Sequence, residues 1–75
     1  MELNEFVTRF AQEFDETPVE LFTPETDYKS LGEWNSLTAL SIIAMVDEEY
    51  GKTITGADLR SHTTIAELAE YINSK

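Results

Sequence analysis

The stretch Asn35-Ser36-Leu37-Thr38-Ala39-Leu40-Ser41-Ile42-Ile43-Ala44-Met45-Val46-Asp47-Glu48-Glu49-Tyr50-Gly51 decides the fold. Its periodicity predicts a helix over 36–50. Gly51 stands as the stop, because glycine alone enters the left-handed conformation without cost. Either Asn35 or Ser36 can cap the start, since both side chains can accept from first-turn N–H groups. Ala39, Ile42, Ile43, Val46 and Tyr50 recur at helical spacing and form the expected core face. Steps of about 100° per residue place Leu37, Leu40 and Ala44 on a different face, with Asp47 and Glu48 toward its end. A domain this small cannot bury a helix all round, so that second face reads as a contact surface.

Working outward, residues 3–14 predict an amphipathic helix. Leu3, Phe6, Val7, Phe10 and Phe14 form an apolar stripe opposite Glu2, Glu5, Arg9, Gln12 and Glu13. Residues 15–35 lose this periodicity and carry Pro18, Pro24 and Gly32. Such a connection is long, but Val19, Leu21, Phe22, Tyr28, Leu31 and Trp34 make it unlike a linker. These side chains are expected to fold it back over the helices. On the other side of Gly51, Lys52-Thr53-Ile54-Thr55 alternates like a strand but has no partner strand. A short helix is expected at 57–60. Thr64-Ile65-Ala66-Glu67 is a capping-box pattern opening a last helix over 65–73, with Ile65, Leu68, Ala69 and Ile72 inward. The fold class is therefore all-α: a single domain over residues 1–75, built as a small bundle of three main helices and one short one.

Composition narrows the function. Fifteen acidic against five basic residues give a net charge of −10. That surface repels nucleic acid and anionic membranes and attracts basic patches on other proteins. There is no Cys, hence no disulfide staple and no thiolate metal site. No segment approaches the ~20 apolar residues of a membrane span, and the first residues show no export signal. A cytoplasmic, monomeric protein is expected.

Catalytic patterns are missing. His62 is the only histidine and sits among Ser61, Thr63 and Thr64, where a surface role is expected. Phosphate-cradling glycine loops and the EF-hand pattern do not occur. Asp47-Glu48-Glu49 reads as a solvated helix face. No catalytic residue and no metal ligand is assigned.

The long loop, Asn35-Ser36-Leu37 at the helix start, and Asp47-Glu48-Glu49-Tyr50-Gly51 at its end together resemble the acyl carrier protein family. Ile54 and the Thr63-Thr64-Ile65 helix start also fit, so the likeness in layout covers nearly the whole chain. The resemblance implies a four-helix bundle in which Ser36, flanked by Asn35 and Leu37, receives 4′-phosphopantetheine from coenzyme A through a separate phosphopantetheinyl transferase. The arm's thiol would carry acyl or aminoacyl groups as thioesters, for fatty-acid, polyketide or other secondary-metabolite biosynthesis. Implied partners are a loading ligase and downstream acyl-processing enzymes with basic docking surfaces, meeting Leu37, Leu40, Ala44, Asp47 and Glu48. A helix N-terminus suits the phosphodiester, because free N–H groups and the positive dipole end favour an anion.

Two departures stand out. The family pattern is Asp-Ser-Leu, and Asn35 removes that charge, which implies slower modification or a dedicated transferase. Thr38 and Ser41 occupy positions where acids are expected, giving a more neutral surface near Ser36. Both point to a specialised carrier rather than one of primary fatty-acid synthesis. The competing expectation is an acidic helical interaction module of the same shape that is never modified.

Overall fold

Four helices and two 3-10 turns emerge in the computed structural model, which describes residues 1–75. The helices are α1 (Leu3–Gln12), α2 (Ser36–Tyr50), α3 (Gly56–Ser61) and α4 (Ile65–Asn73). The 3-10 turns, Val19–Leu21 and Tyr28–Ser30, both lie in the long α1–α2 connection. The only β-type pairing is an isolated antiparallel bridge between Asp27 and Thr64. The expected all-α bundle is what the chain forms.

Each helix is set by its cap. Glu2 accepts from the Asn4 and Glu5 N–H groups to open α1. Gly51 closes α2 at φ 64°, ψ 26°, the single positive φ in the chain. Thr55 with Asp58, and Thr64 with Glu67, form reciprocal capping boxes at α3 and α4. The Thr55 box starts α3 at Gly56, one residue before the expected segment, and the helix runs on to Ser61.

The core joins Phe6, Phe10, Phe14, Ile42, Val46, Ile54, Leu59, Ile65, Leu68 and Ile72. Aromatic rings run through it: Phe6 meets Phe10 edge-on at 6.0 Å, and Phe10 meets Tyr28 at 5.5 Å. On α2, Met45 and Thr38 are also buried, whereas Ala39, Ile43 and Tyr50 are only partly so. Thr38 thus corrects the expectation of a surface position. Its hydroxyl donates to the Glu33 carbonyl at 2.8 Å, which satisfies the one polar group it buries.

Three other expectations change. Regular helix ends at Gln12 rather than Phe14, because the Glu13 and Phe14 N–H groups bond three residues back and tighten the last turn. Phe14 leaves the helix yet stays buried. Leu3 is exposed at the open end of α1 and falls outside the core. Within the connection, Phe22 and Tyr28 are buried and Leu31 and Trp34 pack on the core, but Val19 and Leu21 face solvent. The first 3-10 turn buries none of its three residues, and the chain turns inward only at Phe22, the residue that follows it.

The connection is fastened at both ends. The Glu33 carboxylate accepts from the N–H groups of Asp15, Glu16 and Thr17 and from the Thr17 hydroxyl at 2.7 Å. The Tyr28 hydroxyl donates to the Leu59 carbonyl at 2.6 Å, tying the loop to α3. A radius of gyration of 11.0 Å meets the ~11 Å expected for a folded chain of this length, so the loop is packed rather than splayed.

These carboxylates predict how stability follows pH. The Thr17 hydroxyl and nearby N–H groups hold Glu33 below the usual carboxylate range. The N–H groups of Thr55, and of Thr63 and Thr64, do the same for Asp58 and Glu67. Their stabilisation is complete above the unfolded-state pKa and is lost as pH falls through the folded one. Glu13 is opposite in sign: burial, then Glu48, Asp15 and Glu49, push it up, so its ionised form costs stability that protonation returns. The urea midpoint should therefore rise from pH 7 toward about pH 5 and fall below about pH 4. A midpoint that climbs steadily into acid would contradict these assignments.

Candidate functional site

The start of α2 is built by two residues that precede it. Asn35 adopts extended backbone, and its Oδ1 accepts from Leu37 N–H at 2.9 Å and Thr38 N–H at 3.0 Å. Asn35 is thus the cap, which resolves the choice between Asn35 and Ser36. The amide oxygen does this as a carboxylate would, so the departure at this position keeps the helix start and changes only its charge.

Ser36 consequently sits at the first helical position, exposed, with no protein partner for its hydroxyl. The first turn is also less open than a bare helix end. Asn35 occupies two of its N–H groups and the Ala39 N–H already bonds the Asn35 carbonyl, leaving only the N–H of Ser36 itself unengaged. A group on the Ser36 oxygen meets the positive end of the helix dipole and one free donor.

Around the serine the loop is stiff. Trp34 packs edge-on against Tyr28 at 5.1 Å and lies over Phe14 at 6.4 Å, which makes it a loop anchor. Thr38 Oγ1 ties α2 back to the Glu33 carbonyl, one residue before Trp34. On the outer face, Leu37 is 75% and Leu40 60% exposed, the two most exposed large apolar side chains in the chain. Ala44, Asp47 and Glu48 are exposed on the same side. The spacing 37, 40, 44, 47 and 48 follows one helix face, so the structure brings together the residues singled out for partner contact.

A groove of about 310 Å³ opens beside Ser36 between the start of α2 and α3. Its walls include Trp34, Ala39 and Leu59, with Lys29 and Arg60 also lining it. Sequence reasoning did not place these two cations near Ser36; they come from separate segments. A larger, more open depression of about 560 Å³ lies along α4, between Ser61, His62, Glu67 and Tyr71, and shares no residue with the groove. There, His62 Nδ1 lies 2.7 Å from the Asp58 carbonyl, so that nitrogen is the donor. Its ring packs on Tyr71 at 4.8 Å. His62 is a half-buried structural residue at the α3 end.

Residues 3–72 match the family described as the phosphopantetheine attachment site, and the chain belongs to that family. Among solved structures it is similar to the holo acyl carrier protein of Geobacter metallireducens, at 25% identity and a TM-score of 0.75, with 97% of this chain and 83% of that one covered. No curated protein matches it. The family is a non-enzymatic carrier whose prosthetic group is covalently held 4′-phosphopantetheine. The residues present suit such a group: an unbonded exposed hydroxyl, one free N–H beside it, and an adjoining groove. No helix of the chain is long and apolar enough to cross a membrane.

Proposed function

We propose that Ser36 is the attachment residue, and that the chain is a cytoplasmic, monomeric carrier presenting acyl or aminoacyl thioesters to partner enzymes. The observation that carries this reading is the division of labour at the helix start: Asn35 does the capping, so the Ser36 hydroxyl is left with no structural task. In the modification, Ser36 Oγ attacks the pantetheine-side phosphorus of coenzyme A. An O–P bond forms, the hydroxyl proton passes to a base on the transferase, and adenosine 3′,5′-bisphosphate leaves. Once bound, the arm supplies the thiol that a chain without Cys lacks.

The protein's own residues fix the setting. Asn35 holds the first turn, Trp34 and Glu33 hold the loop behind it, and the dipole of α2 favours the phosphodiester. The loading ligase, the transferase and downstream enzymes meet the α2 face, where Leu37, Leu40 and Ala44 give apolar contact and Asp47 and Glu48 meet basic residues. Asn35 and the uncharged first turns of α2 favour a dedicated transferase and a specialised pathway. Nucleic acid is disfavoured by the charge of −10.

Incubation with coenzyme A and a broad-specificity transferase tests the reading by intact mass. A gain of one phosphopantetheine unit is expected. Unchanged mass with several transferases, and in protein recovered from native cells, would favour the unmodified interaction module instead.

Leu40→Asp tests the docking face. Loading or acyl transfer should fall by about tenfold or more, equivalent to ~1.4 kcal/mol of lost contact, while helicity stays unchanged. Unfolding of this variant would show that the face is core; undiminished transfer would show that partners dock elsewhere.

A further inference from the structure

Cations are scarce in this chain, and their placement is uneven. Of five, Arg9 is occupied by Glu5 at 3.4 Å and Glu49 at 2.6 Å. Lys29 and Arg60 both line the groove that contains Ser36, and no Asp or Glu lines it, although the chain has fifteen acids. The depression along α4, by contrast, is lined by Glu67 and Glu70. Neither Lys29 nor Arg60 makes an ion pair. Glu67 feels the charge of Lys29 but does not pair with it.

The two side chains are held differently. Lys29 Nζ donates to the Arg60 carbonyl at 2.7 Å, which joins the second 3-10 turn to the end of α3. The Arg60 guanidinium has no hydrogen-bond partner in the protein and lies over Gly56, where a Cβ would come within 3.3 Å of Nη1. A free guanidinium has a planar fork matched to phosphate oxygens, and the absence of acids in the groove leaves its charge unspent. Trp34, Ala39 and Leu59 add apolar wall, which suits the methyl-bearing chain that follows the phosphate in pantetheine.

We propose that Lys29 and Arg60 bind the phosphodiester on Ser36 and lay the first segment of the arm into the groove between α2 and α3. This rests on Ser36 being the attachment residue. The two cations offset, locally, the repulsion that a net charge of −10 exerts on an added phosphate. Arg60 is exposed, so the contact is modest and screened by salt, and the arm can leave the groove when a partner docks.

The test is amide and phosphorus NMR on the whole chain before and after arm attachment, with intact mass as the check on loading. Attachment should shift the amides of Lys29, Gly56, Leu59 and Arg60 as well as those of Asn35, Ser36 and Leu37. Arg60→Gln breaks no hydrogen bond within the protein and should cut the Gly56 and Leu59 shifts by roughly half, since one of two cations is removed. Raising ionic strength from ~0.01 M to ~1 M, where the Debye length drops from about 30 to 3 Å, should do the same in the parent chain and move the phosphorus resonance. Loaded protein with shifts confined to residues 34–38 would overturn the groove contact and leave the Ser36 reading standing. Groove shifts indifferent to both Arg60→Gln and salt would overturn the cation contact in the same way. Absence of the arm from Ser36 would overturn both.

Discussion

Ser36→Ala is expected to abolish arm attachment outright while leaving the fold as stable as the parent or slightly more so. The hydroxyl has no hydrogen bond to lose, and alanine is a better helix former at an exposed first-turn position. Asn35→Ala should do the reverse. It keeps the hydroxyl but removes the acceptor for the Leu37 and Thr38 N–H groups, at a cost of about 1 kcal/mol. For a domain of this size that is a fall in Tm of about 4–8 °C. Asn35→Asp keeps the cap, places an anion at the dipole's positive end, and should quicken modification without loss of Tm. Mass spectrometry and thermal melts on the three variants separate attachment from capping. A Ser36→Ala protein that melts well below the parent would mean that the serine has a structural task after all.

Tyr28→Ala should produce the largest loss of stability of any single change in the connection. Tyr28 is fully buried, packs on Phe10 and Trp34, and donates to the Leu59 carbonyl at 2.6 Å, with the His62 carbonyl at 3.2 Å. Burial raises the phenol's pKa, consistent with a proton held in a hydrogen bond away from water. Truncating a large core aromatic costs about 3–5 kcal/mol. A chain of this length has roughly 4–11 kcal/mol in total. Tyr28→Ala should therefore populate unfolded chains substantially and free the loop around Ser36. Tyr28→Phe removes only the hydroxyl, leaves the Leu59 carbonyl without that donor, and should cost about 1–3 kcal/mol. Urea titrations check both. An alanine variant within about 1 kcal/mol of the parent would show that the loop is not part of the cooperative core.

How far these features could be read beforehand depends on whether their cause is local. The helices at 36–50 and 65–73 were legible to the residue, because Gly51 and the Thr64–Glu67 box act within one turn of themselves. The Phe stripe was legible because its spacing carries direction; Leu3 shares that spacing but, as the first residue of α1, stays exposed. Within 15–35 no period assigns direction, so Phe22 could not be told from Leu21 by pattern. Thr38 looked like surface because the family resemblance places an acid there; the Glu33 carbonyl that satisfies its buried hydroxyl comes from the loop's own path. The same applies to the Glu33 clamp on residues 15–17, which closes 16 to 18 positions back along the chain. Most of all, Lys29 and Arg60 stand 31 residues apart and meet at the groove only through the folded loop. The serine proposed for attachment was visible as a motif; the setting that leaves its hydroxyl unbonded beside a groove lined by two cations was not.

The chain has five serines, at positions 30, 36, 41, 61 and 74, and Ser36 is the one proposed to bear the arm. Fragmentation of the intact modified protein in the mass spectrometer decides it. Every fragment retaining the phosphopantetheine mass should contain Ser36, and fragments lacking Ser36 should be unmodified. An arm found on any other serine, or on none, would contradict that assignment.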